Sequence, residues 1–112
     1  MLRESLTTLV ERNQVWQGRF ETEPCEAAWA TEAIYFVRAL AREGSTVGAV
    51  ARVQLSPDGM HWCDEGSEMP LPSEAEGVSF VRIKHFGGWL RLVGELPEGT
   101  QLTVIAYLVL KE

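Results

Sequence analysis

The side chains best suited to chemistry crowd into one stretch. VQLSPDGMHWCDEG, residues 53–66, carries Asp58, His61, Cys63, Asp64 and Glu65, with Glu68 just beyond. Imidazole and thiolate are the usual ligands of structural zinc, which takes four of them, commonly as closely spaced pairs. His61 and Cys63 supply one such pair, but the other donors, Cys25 and His85, are single and distant in sequence. No metal site is therefore expected. A Cys63–His85 nucleophile–base couple would need an orienting group and a set of oxyanion donors, and nothing in the sequence marks either. Asp64, Glu65 and Glu68 do not have the spacing of a calcium-binding loop and read as a solvated one. GGWLRL, residues 87–92, lacks the G-x-G-x-x-G pattern of a phosphate cradle, so Gly87-Gly88 reads as a bend or bulge. On this reading the protein is not an enzyme and takes no cofactor.

The same stretch accounts for itself as a hairpin. Ser56 and Asp58 have short side chains able to bond turn backbone, Pro57 presets φ, and Gly59 supplies the positive φ that a tight turn requires. Trp62 is then expected to enter the core, with His61 and Cys63 on the opposite face.

The elements around this hairpin are short. The chain has 112 residues, enough for one domain, with ten glycines and five prolines dividing it into brief runs of Val, Ile, Leu, Thr and aromatics. Strands are expected near 5–11, 15–22, 32–42, 48–56, 60–65, 77–84, 88–95 and 101–111. The fold class that follows is all-β, a two-sheet antiparallel sandwich in a single domain over 1–112. Residues 26–43 leave a choice open. Thr22 as N-cap, an acidic first turn and Gly44 at the far end suit a helix. Alternation suits a strand, with Ile34, Phe36 and Leu40 on one side and Tyr35, Val37 and Ala39 on the other.

Charge and cysteine content narrow the partners. A net charge of −6 opposes binding to nucleic acid, and no polybasic run marks a membrane surface. MLRESLTTLVERN carries Arg3, Glu4, Glu11 and Arg12, and has no apolar core of signal-peptide length. The expected location is cytoplasmic or on a particle. Cys25 and Cys63 are expected to be free thiols in a reducing compartment.

The apolar surplus is the informative feature. A sandwich strand should alternate, burying one face and wetting the other. In the last strand Leu102, Val104, Ala106, Leu108 and Leu110 fill one face, and Ile105, Tyr107 and Val109 fill the other. AIYFV, residues 33–37, is apolar on both sides as well. Ile105, Tyr107, Val109, Tyr35 and Val37 are therefore the expected contacts of a symmetric homo-oligomer, a trimer being one such closed ring.

The order EAIYFVRALAREG, VARVQLSPDGMHWCDEG, VSFVRIKHFGGWLRLVGELPEGTQLTVIAYLVLKE resembles a family of small all-β proteins from tailed-phage and prophage structural modules, or a cellular relative of it. The matching pieces are a V-x-x-S-x-D-G-x-x-W hairpin at Val53–Trp62, a basic-aromatic strand at Gly88–Val93 and a final apolar strand at Leu102–Leu110. This chain departs from the family in being more acidic and in carrying four Trp. The resemblance implies a jelly-roll-like sandwich with residues 32–42 as a strand. It also implies a structural role that builds or decorates a larger particle, with a capsid or shell protein as partner. The alternative is a carbohydrate-binding module that stacks a sugar on an exposed Trp, with Trp89 beside His85 and Arg91 as the best candidate.

Overall fold

A computed structural model describes residues 4–74 and 76–112; Arg3 of the N-terminal reading lies outside them. Nine strands are present among the described residues: β1 (Ser5–Gln17), β2 (Arg19–Glu21), β3 (Cys25–Glu26), β4 (Glu32–Glu43), β5 (Val50–Ser56), β6 (Cys63–Pro70), β7 (Val78–Lys84), β8 (Trp89–Glu95) and β9 (Gln101–Lys111). One sheet has the order β1-β9-β4-β7, and the other has β2-β8-β5-β6 with β3 added against β8. All pairings between them are antiparallel.

The topology is that of one long hairpin rolled up. The first half of the chain pairs with the second in nested fashion: β1 with β9, β2 with β8, β4 with β7 and β5 with β6. Rolling that ribbon brings β9 against β4 and β8 against β5, which closes the two sheets. This is the jelly-roll arrangement of a double-sheet β protein.

The choice left open over residues 26–43 falls to strand. β4 alternates between buried Ala33, Tyr35, Val37 and Ala39 and half-buried Ile34, Phe36, Arg38 and Leu40. A helix would satisfy its own backbone but would leave β9 and β7 without the partner that lies between them. The first two expected strands are continuous to Gln17. Two register shifts, at Leu9/Glu11 and Glu11/Gln14, and Asn13 at φ 50° bend the strand where a break was expected. β6 runs to Pro70, so the acidic residues 64–68 belong to an edge strand and not to a loop. Asp64, Glu65 and Glu68 along an exposed edge suit a strand that must not pair further.

The core forms between the sheets. Trp16 of β1 stacks on Phe20 of β2, with ring centroids 4.0 Å apart and planes 8° from parallel. Gly18, at φ 62°, turns the chain from one sheet to the other between them. Phe20 lies opposite Gly94, where any Cβ would stand 2.5 Å from its ring, so the absent side chain makes room for the aromatic.

Tyr35 is fully buried, and its hydroxyl finds no hydrogen-bond partner among the described residues. Burial, and secondarily the neighbouring Cys25, hold its ionisation well above the ordinary tyrosine range. A buried hydroxyl without a partner costs about 1–3 kcal/mol on mutational scales. Tyr35→Phe is thus expected to leave stability unchanged or to raise it by about 1 kcal/mol, as read from the urea midpoint. A loss above about 1 kcal/mol would mean that the hydroxyl is bonded.

Candidate functional site

The two sheets present opposite chemistry to solvent. On the four-stranded sheet the outward residues assemble into rows that cross all its strands. Leu9, Tyr107, Phe36 and Phe80 are successive cross-strand partners on β1, β9, β4 and β7. Thr7, Val109, Ile34 and Arg82 make the adjacent row, and Ile105, Arg38 and Val78 flank the aromatic row on the other side. The phenyl rings of Phe36 and Phe80 meet at 6.0 Å. Leu9 is 42% exposed, Phe80 49% and Val78 57%, while Ile105, Tyr107 and Val109 are half-buried by the strands on either side.

Charge bounds the stripe rather than crossing it. The Arg82 guanidinium sits 5.1 Å from the Phe80 ring centre. Arg38 donates from Nη2 to Glu76 at 2.7 Å, an exposed pair that solvent screens. Beyond the Thr7 row lies a polar one of Ser5, Lys111, Glu32 and Lys84.

The interface expected from sequence is corrected in part. Ile105, Tyr107 and Val109 do face outward. Tyr35 and Val37 do not: both are fully buried against the opposite sheet. Their row partners decide this, since Tyr35 lies between Leu108 and Val81, and both of those point inward. The outward set of β4 is Ile34 and Phe36. Alternation separates the two sets without saying which is inside. Leu9, Val78 and Phe80 were missed because each joins the face only through register with β9 or β4.

The outer face of the second sheet carries a network of mutually bonded polar side chains. Arg91 of β8 is only 14% exposed at its side chain. It donates from Nε to Gln54 Oε1 at 2.9 Å and from Nη1 to Glu21 Oε2 at 3.0 Å. Its guanidinium covers the Trp62 ring at 4.2 Å. Gln54 continues the network to Asp64 Oδ1 at 3.0 Å. Trp62 is therefore outside the core, correcting the expectation for it.

Of the residues expected to touch a ligand, Trp89 and Arg91 lie on β8 and His85 in the loop that precedes it. Trp89 and Arg91 share a face of β8, and the Trp89 indole lies against Gly59, where a Cβ would be 3.3 Å from the ring. His85, in the loop from β7 to β8, has φ 57° and lines a hollow of about 460 Å³ with Phe86, Lys84 and Thr31.

The turn residues behave as expected. Ser56 Oγ accepts from the Gly59 amide at 2.8 Å and the Asp58 amide at 3.2 Å. Asp58 Oδ1 accepts from the amides of Met60 at 2.8 Å and His61 at 2.9 Å, and its other oxygen meets His61 Nδ1 at 2.6 Å. The His61 and Met60 amides hold this carboxyl well below the usual aspartate range. Gly59 has φ 79°. His61 is thus engaged with the turn that shapes it.

Cys25 and Cys63 are both free. They end one row of the second sheet, Cys25–Leu90–Leu55–Cys63, three strand spacings or roughly 14 Å apart, beyond the reach of a disulfide. Burial, then Glu23 and Glu11, push the Cys25 thiol up. Cys63 is exposed. A disulfide-exchange reagent is expected to modify Cys63 at least about tenfold faster than Cys25 in the native protein, read by peptide mass spectrometry. Equal rates would contradict the placement of Cys25.

In fold, the chain has a prophage counterpart. It is similar to the SPBc2 prophage-derived protein YomS, with a TM-score of 0.63 over 100% of this chain and 96% of that one, at 6% sequence identity. Likeness at that identity is one of fold. No family model matches the chain, and no curated protein sequence matches it either. None of the described residues forms a helix long and apolar enough to cross a membrane.

Proposed function

We propose that the chain is a non-enzymatic structural protein that self-associates as a symmetric homo-oligomer and builds or decorates a phage-related particle. The observation that carries this reading is the row Leu9–Tyr107–Phe36–Phe80 with its apolar neighbours, set on one sheet while the other sheet outwardly carries a satisfied polar network. A soluble monomer gains nothing from a cross-sheet aromatic stripe facing water, whereas a protein surface laid over it removes that area from solvent. The prophage origin of a similarly folded protein supports the particle setting.

Magnitudes say what kind of association this face suits. Covering the area still exposed on each stripe residue contributes on the order of 1 kcal/mol. Fixing two bodies together costs about 4–15 kcal/mol. A single stripe contact is therefore weak by itself and gains from repetition around a closed ring or from a second contact. Light scattering on the eluting protein at tens of micromolar is expected to give a mass of several chains, with discrete rings or shells in negative-stain electron microscopy. A clean monomer across that range would overturn the reading.

A further inference from the structure

An exposed sheet edge invites another strand, and proteins blunt such edges with charge, proline, bulges or brevity. Among the described residues, three of the four sheet edges are protected in this way. β2 and β3 are three and two residues long, with Pro24 between them. β6 carries Asp64, Glu65 and Glu68, has a register shift opposite Arg52/Gln54 and ends at Pro70. β7 carries Arg82 and Lys84 and turns toward β6, where the sheets meet.

The fourth edge, β1, is guarded over only half its length. From Glu11 onward it has two register shifts, Asn13 at φ 50°, and the charges of Glu11 and Arg12. Ser5–Leu9 has none of these. Its register against β9 runs unbroken from Ser5↔Lys111 to Leu9↔Tyr107, and it contains no charge, glycine or proline. Ser5, Leu6, Thr7 and Leu9 are exposed, and among the described residues no strand pairs on the far side.

We propose that Ser5–Leu9 pairs antiparallel with the same segment of a second copy about a two-fold axis through Thr7. The segment is self-complementary in that register. Residues facing one another across a ladder must point to the same side, so the axis must pass through a residue and not between two. Centred on Thr7, Thr7 opposes Thr7, Ser5 opposes Leu9, and Leu6 opposes Thr8. Every pair is uncharged, and a Thr–Thr pair directly across a ladder is favourable. The contact is isologous, as a two-fold requires. It joins two four-stranded sheets into one of eight strands and sets both apolar stripes on the same surface. This rests on the self-association proposed above and names its second contact.

The test is a cysteine at the axis. In a chain with Cys25→Ser and Cys63→Ser, Thr7→Cys places two thiols on directly opposed positions, where Cβ atoms are about 4.5–5.5 Å apart, close to disulfide range. Mild oxidation is expected to give a disulfide-linked dimer for Thr7→Cys, at least about tenfold more than for Val15→Cys, an exposed outward residue in the guarded half of the same strand. Circular dichroism checks that both variants fold. Adding Phe80→Arg to Thr7→Cys is expected to keep the cross-link while removing higher assembly. A multi-chain wild type in which Thr7→Cys links no better than Val15→Cys would overturn the edge pairing and leave the stripe reading standing. A Thr7→Cys cross-link together with a wild type that never exceeds a dimer would do the reverse. A monomeric wild type with no cross-link would overturn both.

Discussion

Phe80→Arg is expected to leave the chain folded and to abolish its higher association. Phe80 lies on an edge strand, is half exposed and belongs to the stripe through Phe36. An arginine there keeps its stem along the sheet and its head in water while the protein is monomeric. Laying a second surface over it would bury an unpaired cation beside Arg82, with several kcal/mol of desolvation to overcome. A penalty of about 3 kcal/mol weakens association roughly a hundredfold. Light scattering should show the mass falling to no more than two chains, with an unchanged circular dichroism spectrum. Glu112→Arg, beyond the last strand, should leave the mass as it is. Equal effects of the two substitutions would place the interface elsewhere.

Gly88→Ala is expected to be the most damaging small change in the loops, at about 3–5 kcal/mol. Gly88 has φ 71°, which alone costs a side-chain-bearing residue about 1–2 kcal/mol. Its missing Cβ would also collide with the carbonyl oxygen of Ser56 and stand 3.2 Å from Cα of Pro57. Both neighbours are backbone, and Ser56 anchors the hairpin turn through its hydroxyl, so neither yields cheaply. Gly88 also accepts the Ala27 amide at 2.7 Å, tying a third loop to the same place. Gly48→Ala is the matched control: its φ is 80°, with nothing near its absent Cβ. It should cost only the backbone strain, about 1–2 kcal/mol. Similar urea midpoints for the two variants would contradict the close approach at Gly88.

The sequence announced those parts of the fold that rest on local chemistry. The Ser56–Gly59 turn follows from residue types alone, because Ser, Asp and Gly each have a specific turn role. The alternation of β9 exposed its two apolar faces before any neighbour was known. What stayed hidden depends on register between distant segments. Tyr35 and Val37 are as apolar as Ile34 and Phe36, so the pattern of β4 is symmetrical, and only pairing with Leu108 and Val81 tells inside from outside. Alternation along the returning strand points Trp62 to one face, opposite His61 and Cys63, without saying that this face is the core. Arg91, contributed from another strand, offers its ring a cationic cover at the surface instead. The acidic cluster Asp64, Glu65 and Glu68, lacking calcium-loop spacing, reads as a solvated loop, and yet those same charges suit an edge strand.

The nested pairing of the two halves of the chain has a kinetic consequence. β4 sits between β7 and β9, so EAIYFVRAL is synthesised long before the strands that cover its two edges. The first strand must likewise wait for residues 101–111. Ordering such distant segments makes the approach to the native state slow, in the range of milliseconds to seconds typical of sandwiches. During that interval an uncharged, β-prone stretch such as AIYFV stands open to its counterparts on neighbouring nascent chains. Crowded, rapid expression should therefore favour inclusion bodies, and slower synthesis at lower temperature should favour recovery of native protein.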